Sequence, residues 1–276
     1  MSLRLMYITN DPKIALTAQK YGVDRIWIDL EVQGKEERQK GRNSVKSQHK
    51  VKDISLIKPL LNFSEMLVRI NPWNEQSKDE IDAVIEAGAD IIMLPMWKTA
   101  KEVNGFIKAV NGRCRTMLLL ETIEAEKCLD EVLKLSGIHE IHIGMNDLHI
   151  AYGLTFMFEL LSNGKIAEIC DRIRPSGIPF GFGGIGMPGA GLLLTPEKII
   201  LEHYRLGSTA AILSRTFYNS SQRKNSDEID GIFKKGIKAI RDYEKMAEMA
   251  DSRIYKDNTK MVVQNVNTIV ENMHRK

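Results

Sequence analysis

Eight short apolar runs, each closed by turn residues and separated by segments of helical hydrophobic period, recur along the chain. This alternation is the strongest constraint on its fold. A strand that is apolar on both faces must be covered on both, and amphipathic helices are the natural cover for a parallel sheet. The runs are LRLMYI (3–8), RIWIDL (25–30), EMLVRI (65–70), DIIMLP (90–95), RTMLLL (115–120), EIHIG (140–144), IPFGF (178–182) and TAAILS (209–214). Helices are predicted between them. DPKIALTAQKYG has Asp11 as cap, Pro12 in the first turn and Gly22 as stop, and KDEIDAVIEAG repeats that plan. TAKEVNGFIKAV and TIEAEKCLDEVLKLSG follow, and TPEKIILEHYRLG has Thr195 as cap, Pro196 at the first helical position and Gly207 as stop.

Eight βα units in 276 residues predict an α/β fold of the (β/α)8 TIM barrel type. An open doubly wound sheet more often carries phosphate-binding glycines after its first strand, where YITNDPK has none. The barrel is expected over residues 1–250 and a C-terminal helical extension over 251–276. In that tail Met261, Val262, Val266, Ile269 and Val270 stand at near-helical spacing, suited either to the chain's own barrel or to a neighbouring subunit. The basic stretch 33–52 reads as a solvated loop and helix.

Hydrophobic residues make up 43% and charged residues 27%, as in a soluble protein with a large core. The formal charge of +3 is too small to predict a nucleic-acid or membrane partner. No apolar stretch approaches the length that spans a bilayer, and the N-terminus lacks a signal-peptide pattern. Cys114, Cys128 and Cys170 form no CxxC pair, which suits a reducing compartment. A cytoplasmic homo-oligomer acting on a small molecule is the expectation.

In a barrel of this kind, reactive groups lie at the carboxyl ends of strands. Asp29 and Glu31 finish the second run, Arg69 the third and Glu121 the fifth, and Asp147 follows the sixth. Glu121 follows the apolar residues Met117 to Leu120, and a buried glutamate must reach water or meet a cation. Glu121 and Asp147 are the expected pair for a hard divalent cation, Mg2+ or Mn2+, which takes oxygen ligands and retains waters that a substrate can replace. A 2-oxo acid would complete such a shell and form an enolate. Arg69 would share its charge, and the turn of Gly144, Met145 and Asn146, just ahead of a helix, would receive the substrate carboxylate.

Six stretches, IWIDLE, LVRINPWNE, AGADIIMLPMWKTAKEV, LLLETIEA, HIGMNDLHIAYG and LGSTAAILSRTF, occur in the order of the HpcH/HpaI aldolase and citrate lyase family, which the chain resembles over about residues 20–220. The resemblance implies metal binding by Glu121 and Asp147, contact of Arg69 with the substrate carbonyl oxygen, and a carboxylate site at Gly144–Asn146. One departure concerns proton transfer. Aldolases of this family carry D-x-E-H after the second strand, whereas this chain reads DLEV and places Val32 at the histidine position. His49 is the candidate replacement, a histidine being suited to moving a proton near neutral pH. The DLE stretch is instead similar to the citrate lyase β-subunit branch. A coenzyme A thioester substrate and a catalytically inactive metal-binding scaffold are therefore the alternatives to carbon–carbon cleavage of a 2-oxo acid.

Of the remaining features, GFGGIGMPGAG (181–191) reads as an active-site loop without the Walker lysine. His139 and His142 read as structural, and His149 lies near the expected mouth. Trp73 and Trp97 would wall a pocket or bury a subunit contact.

Overall fold

The structure is a computed structural model describing residues 2–34, 48–219, 222 and 224–275. Most of the basic stretch 33–52 therefore lies outside the described residues. Eight strands follow one another in chain order and close into a barrel, so the (β/α)8 expectation holds. They are β1 (Arg4–Ile8), β2 (Arg25–Asp29), β3 (Glu65–Arg69), β4 (Ile91–Leu94), β5 (Arg115–Leu120), β6 (Glu140–Ile143), β7 (Phe180–Ile185) and β8 (Ala210–Leu213). The chain divides into two compact units, residues 7–141 and residues 1–6 with 142–276.

In residues 7–141, β2 and β3 pair in parallel from Arg25 opposite Glu65 to Asp29 opposite Arg69, and β4 and β5 continue the sheet. Helix α1 (Pro12–Lys20) starts as its sequence predicts, with Asp11 Oδ1 accepting from the Lys13 amide at 2.8 Å. Helices α2 (Val51–Ile57), α3 (Ser77–Glu86) and α4 (Ala100–Val110) follow. Thr99 and Glu102 form a reciprocal cap on α4. Val103, Phe106 and Val110 of α4 are fully buried, each worth about 1.5–3 kcal/mol.

The helix expected over TIEAEKCLDEVLKLSG is broken. Cys128 leaves the helical region (φ −94°, ψ 10°), dividing α5 (Ile123–Lys127) from α6 (Leu129–Val132). Its thiol turns back toward the carbonyls of Lys98 and Ala125 instead of extending along the helix surface.

At the starts of the strands in this unit lies an ion network around the buried Arg25 and Glu140. Arg25, with no exposed side-chain surface, donates both terminal nitrogens to Glu140 at 2.6 and 2.7 Å and its Nε to Glu65 at 3.1 Å. Arg115 joins through Glu65. Burial opposes the Arg25 charge, but Glu140 and then Glu65 outweigh it and raise its pKa. His139 is structural, as expected: its Nδ1 accepts from the Thr116 amide at 3.1 Å.

In the other unit, β1 pairs with β8 from Arg4 opposite Ala210 to Met6 opposite Ile212. Strand β7 begins two residues after and ends three residues beyond its predicted bounds, and its register with β8 shifts between Gly181 and Gly184. Glycines are weak strand formers, which hid this extension from sequence. At Gly181 the residue is required, since a Cβ there would stand 2.4 Å from the Ala210 carbonyl oxygen. The helices are α7 (Met145–Ala151), α8 (Glu159–Ser162), α9 (Lys165–Ile173), α10 (Pro196–Leu206), α11 (Ser226–Glu248) and α12 (Ser252–His274). Thr195 stands at the cap position of α10 but makes no side-chain cap bond.

The tail packs on its own chain. Helix α12 buries Asn258, Val262 and Val266 against α8 and α10. Its anchor is Glu202 of α10, 1% exposed, which accepts from Asn258 Nδ2 and Thr259 Oγ1, both at 2.8 Å, and pairs with Arg205.

A buried histidine in this unit, His203, carries a pH dependence. The His203 ring stacks on Phe182 at 4.0 Å, and its Nδ1 lies 2.8 Å from Ser208 Oγ. Burial, and then the neighbouring His142, push its pKa down from 6.5 to about 3. The folded state thus refuses a proton that the unfolded chain accepts below pH 6.5, so stability should fall as pH drops from 6.5 toward 3. We expect His203 to contribute a slope of about 1.4 kcal/mol per pH unit in that window. Urea unfolding midpoints of wild type and His203→Gln across pH 4–7 check this, the variant having the flatter profile.

Candidate active site

Within residues 7–141, the carboxyl ends of β2, β3 and β5 supply one charged cluster. Asp29 and Arg69 are direct partners across β2 and β3, so their side chains emerge together. Arg69 Nε and Nη2 bind the two Asp29 oxygens at 2.8 and 2.9 Å, and Nη1 lies 3.2 Å from Glu31 Oε2. The Arg69 guanidinium also sits 5.3 Å from the Trp27 ring centroid, within cation–π range. Asp29 and Glu31, each 1% exposed, therefore pair with Arg69. Burial works against the Arg69 charge, but Asp29, then Glu31, and further Glu121 hold its pKa above the ordinary arginine value.

Glu121 follows β5 directly and is 3% exposed. Its Oε1 accepts from the Met96 amide at 3.1 Å. Met96 takes a left-handed conformation (φ +53°), rare for a non-glycine residue, and this points its N–H at the carboxylate. Next in sequence, Thr122 Oγ1 donates to the Trp97 carbonyl at 2.9 Å and accepts from Ala125 N at 3.0 Å, capping α5. The turn after β4 is thus pinned to the turn after β5 by two consecutive residues. Trp97 is 1% exposed, and Trp73 packs over Gly105, where a Cβ would meet its ring at 2.7 Å.

His49 lies at the same strand end as Asp29. Its Nδ1 accepts from the Asp29 amide at 3.0 Å. It precedes Lys50, the N-cap of α2, whose amide donates to Asp53 at 2.9 Å; Asn10 donates to the same Asp53 oxygen at 3.0 Å. Val32 is 59% exposed, and the amides of Val32 and Gln33 are held by Asn71 Oδ1 at 3.0 and 3.1 Å. Nearby, Gln33, Asn71, Asn74, Gln76, Asp79 and Glu80 line a polar cavity of about 410 Å3. Burial raises the Glu80 pKa, and hydrogen bonds from Asn71 temper the shift. Sequence reasoning did not find Met96, Thr122 or Asn71; only the threonine after Glu121 offered a signal, as a helix cap.

In the other unit, Gly144 stands at the N-cap of α7, with no side-chain cap on the first turn, Met145 and Asn146 begin the helix, and Asp147 is in its first turn. Asp147 Oδ1 is buried and has no hydrogen-bond partner among the described residues. His149 Nδ1 lies 3.2 Å from the Met145 carbonyl, within its own helix, and the ring is 6% exposed. Gly183 of β7 approaches Met145 closely: a Cβ there would lie 2.6 Å from the Met145 sulfur.

The sequence profile described as HpcH/HpaI aldolase/citrate lyase matches residues 4–160, more than half of the chain. The chain belongs to the HpcH/HpaI aldolase/citrate lyase family. No curated protein matches it in sequence. Among solved structures, it is similar to an HpcH/HpaI aldolase from Desulfitobacterium hafniense DCB-2, with 15% identity and a TM-score of 0.58 over 87% of this chain and 93% of that one. An HpcH/HpaI aldolase/citrate lyase family protein from Burkholderia cenocepacia J2315 gives 11% identity and 0.58 over 83% and 95%. The citrate synthase SbnG gives 16% and 0.56 over 77% and 85%. At these identities the likeness is one of fold.

Enzymes of this family are generally dependent on a divalent metal. No cluster of three or more His, Cys, Asp or Glu side chains suited to a metal occurs among the described residues, and the sequence predicts two carboxylates. Each fits a hard cation. Asp147 carries a buried oxygen without a donor, which is costly unless something binds it. Glu121 is a carboxylate 3% exposed, one of whose oxygens accepts from the Met96 amide, and carboxylate oxygens are the ligands a hard cation takes.

Removing the Asp29 charge tests the cluster. Asp29→Asn should lower stability by about 1.5–3 kcal/mol, the usual worth of hydrogen bonds to a charged group, as read by urea unfolding.

Proposed function

We propose that the protein is a carbon–carbon lyase that cleaves or forms a 2-oxo acid through a pyruvate-type enolate, with Mg2+ or Mn2+ held by Glu121 and Asp147. The observation that carries this reading is Glu121 itself, a carboxylate 3% exposed directly after β5, whose charge acts on Arg69. When bound, the cation supplies Lewis-acid polarisation of the substrate carbonyl.

The chain's own residues supply the rest. Arg69 holds a permanent positive charge, and its pairing with Asp29 and Glu31 orients the guanidinium before substrate arrives, so no reorganisation is needed as oxyanion charge develops. The amides of Met145 and Asn146, at the start of α7 with no side-chain cap, receive the substrate carboxylate. His49 is the catalytic side chain contributed by the segment ahead of α2, beside Asp29. The Met96 amide keeps the Glu121 carboxylate in one orientation.

Mn2+-dependent exchange of the pyruvate methyl protons with deuterated water tests the reading. Glu121→Gln should reduce it at least about 100-fold, the scale of losing a group that stabilises developing charge. The fold should be retained, since the glutamine carbonyl still accepts from Met96. Exchange at the wild-type rate in the variant would contradict the ligand assignment.

A further inference from the structure

We propose that Asn71, set in place by Glu80, is a positioning residue for Arg69: it fixes the Glu31–Val32 peptide and thereby keeps the Glu31 carboxylate against the guanidinium. The inference deepens the lyase reading and rests on it. The β2–β3 pairing runs out just short of Glu31. Beyond the last strand pair, the Leu30 amide donates to the Arg69 carbonyl at 2.9 Å. Bonds of a parallel ladder recur evenly, so the next would join the Val32 amide to the main-chain carbonyl of Asn71. The Val32 amide instead donates to the Asn71 side chain, whose Oδ1 lies 3.0 Å away and also accepts from the Gln33 amide at 3.1 Å. A side chain thus carries the pairing past the point where the main chain stops.

Val32 is 59% exposed, so burial of its side chain contributes little to holding this turn. The amide that Asn71 engages belongs to the same planar unit as the Glu31 carbonyl, and holding it sets the direction in which the chain leaves Glu31. Glu31 is 1% exposed, and its Oε2 stands 3.2 Å from Arg69 Nη1. Arg69 and Asn71 therefore grip the same turn, one through a side chain and the other through the backbone.

The position calls for an acceptor and a donor on one short side chain, which asparagine has. Asn71 Nδ2 donates to Glu80 Oε1 at 2.8 Å, and the Asn71 backbone amide is shared between both Glu80 oxygens at 3.2 Å. Glu80 lies in α3, and by taking the NH2 group it leaves the Asn71 oxygen turned toward Val32 and Gln33. Donors oriented in advance act on kcat more than on KM, because oxyanion charge appears only as the reaction proceeds.

Two measurements test this. Amide hydrogen exchange read by NMR should find the Val32 amide protected in the wild type and faster in Asn71→Ala; open-chain exchange in the wild type would overturn the proposal. In Mn2+-dependent exchange of the pyruvate methyl protons, with each variant shown folded by circular dichroism, Asn71→Ala should lower kcat about 10- to 100-fold, the scale of misplacing a group by an ångström, and leave KM within about twofold. Asn71→Asp keeps the acceptor for both amides but sets a carboxylate against Glu80, and should be impaired as much. Adding Glu80→Gln to it lets donor and acceptor change places, and kcat should return to within about threefold of wild type. A double variant no better than Asn71→Asp would sink the role, as would Asn71→Ala with the wild-type kcat or with its loss confined to KM. A wild type that protects Val32 yet shows no Mn2+-dependent exchange would overturn the lyase reading, and the positioning role with it.

Discussion

A single guanidinium organises the carboxyl ends of β2 and β3. Arg69 is almost wholly withdrawn from water, which by itself would be prohibitive, and it exists there as a cation because Asp29 and Glu31 close around it. The dependence is mutual, since each carboxylate is 1% exposed and gains a cation from the arginine. The consequence for chemistry is that both acids are committed.

The same unit holds a second ion network, around the buried Arg25 and Glu140, at the opposite ends of its strands. Arg25, Glu65, Arg115 and Glu140 all stand at strand starts, where in barrels of this architecture side chains serve stability and not catalysis. Two ion networks thus bracket an apolar interior of Ile26, Ile28, Met66 and Val68. Buried ion pairs are an uncertain source of stability compared with apolar packing. Their geometric demands do restrict register: a one-residue slip of β2 against β3 would separate both Arg25 from Glu65 and Asp29 from Arg69.

The barrel was legible because most of its strands are buried on both faces, which leaves unbroken apolar runs that need no partner to be recognised. The misses have local causes. Glycines 181, 183 and 184 carry no strand signal, yet close approach to β8 requires at least the first of them. Cys128 lies inside a helical period, and nothing in its identity announces the break. At the site, Arg69, Glu121 and Asp147 could be named because they interrupt or follow apolar runs. Their partnerships could not. The left-handed turn of Met96 depends on a side chain 25 residues away, and the approach of His49 to Asp29 depends on where a 20-residue excursion returns. Such contacts belong to tertiary structure, and local pattern contains no trace of them.

Glu202 gives the last helix a standing that its position at the end of the chain would not suggest. Its carboxylate draws on Asn258 and Thr259 for donors, and Val262 and Val266 seal the same surface. Deleting the final turns and helix would leave α10 with an acid stripped of two donors and an apolar strip open to water. Anyone shortening this protein for crystallisation or fusing a partner to it should therefore treat the terminal helix as part of the barrel's wall and place the junction beyond His274, whose ring reaches Thr155.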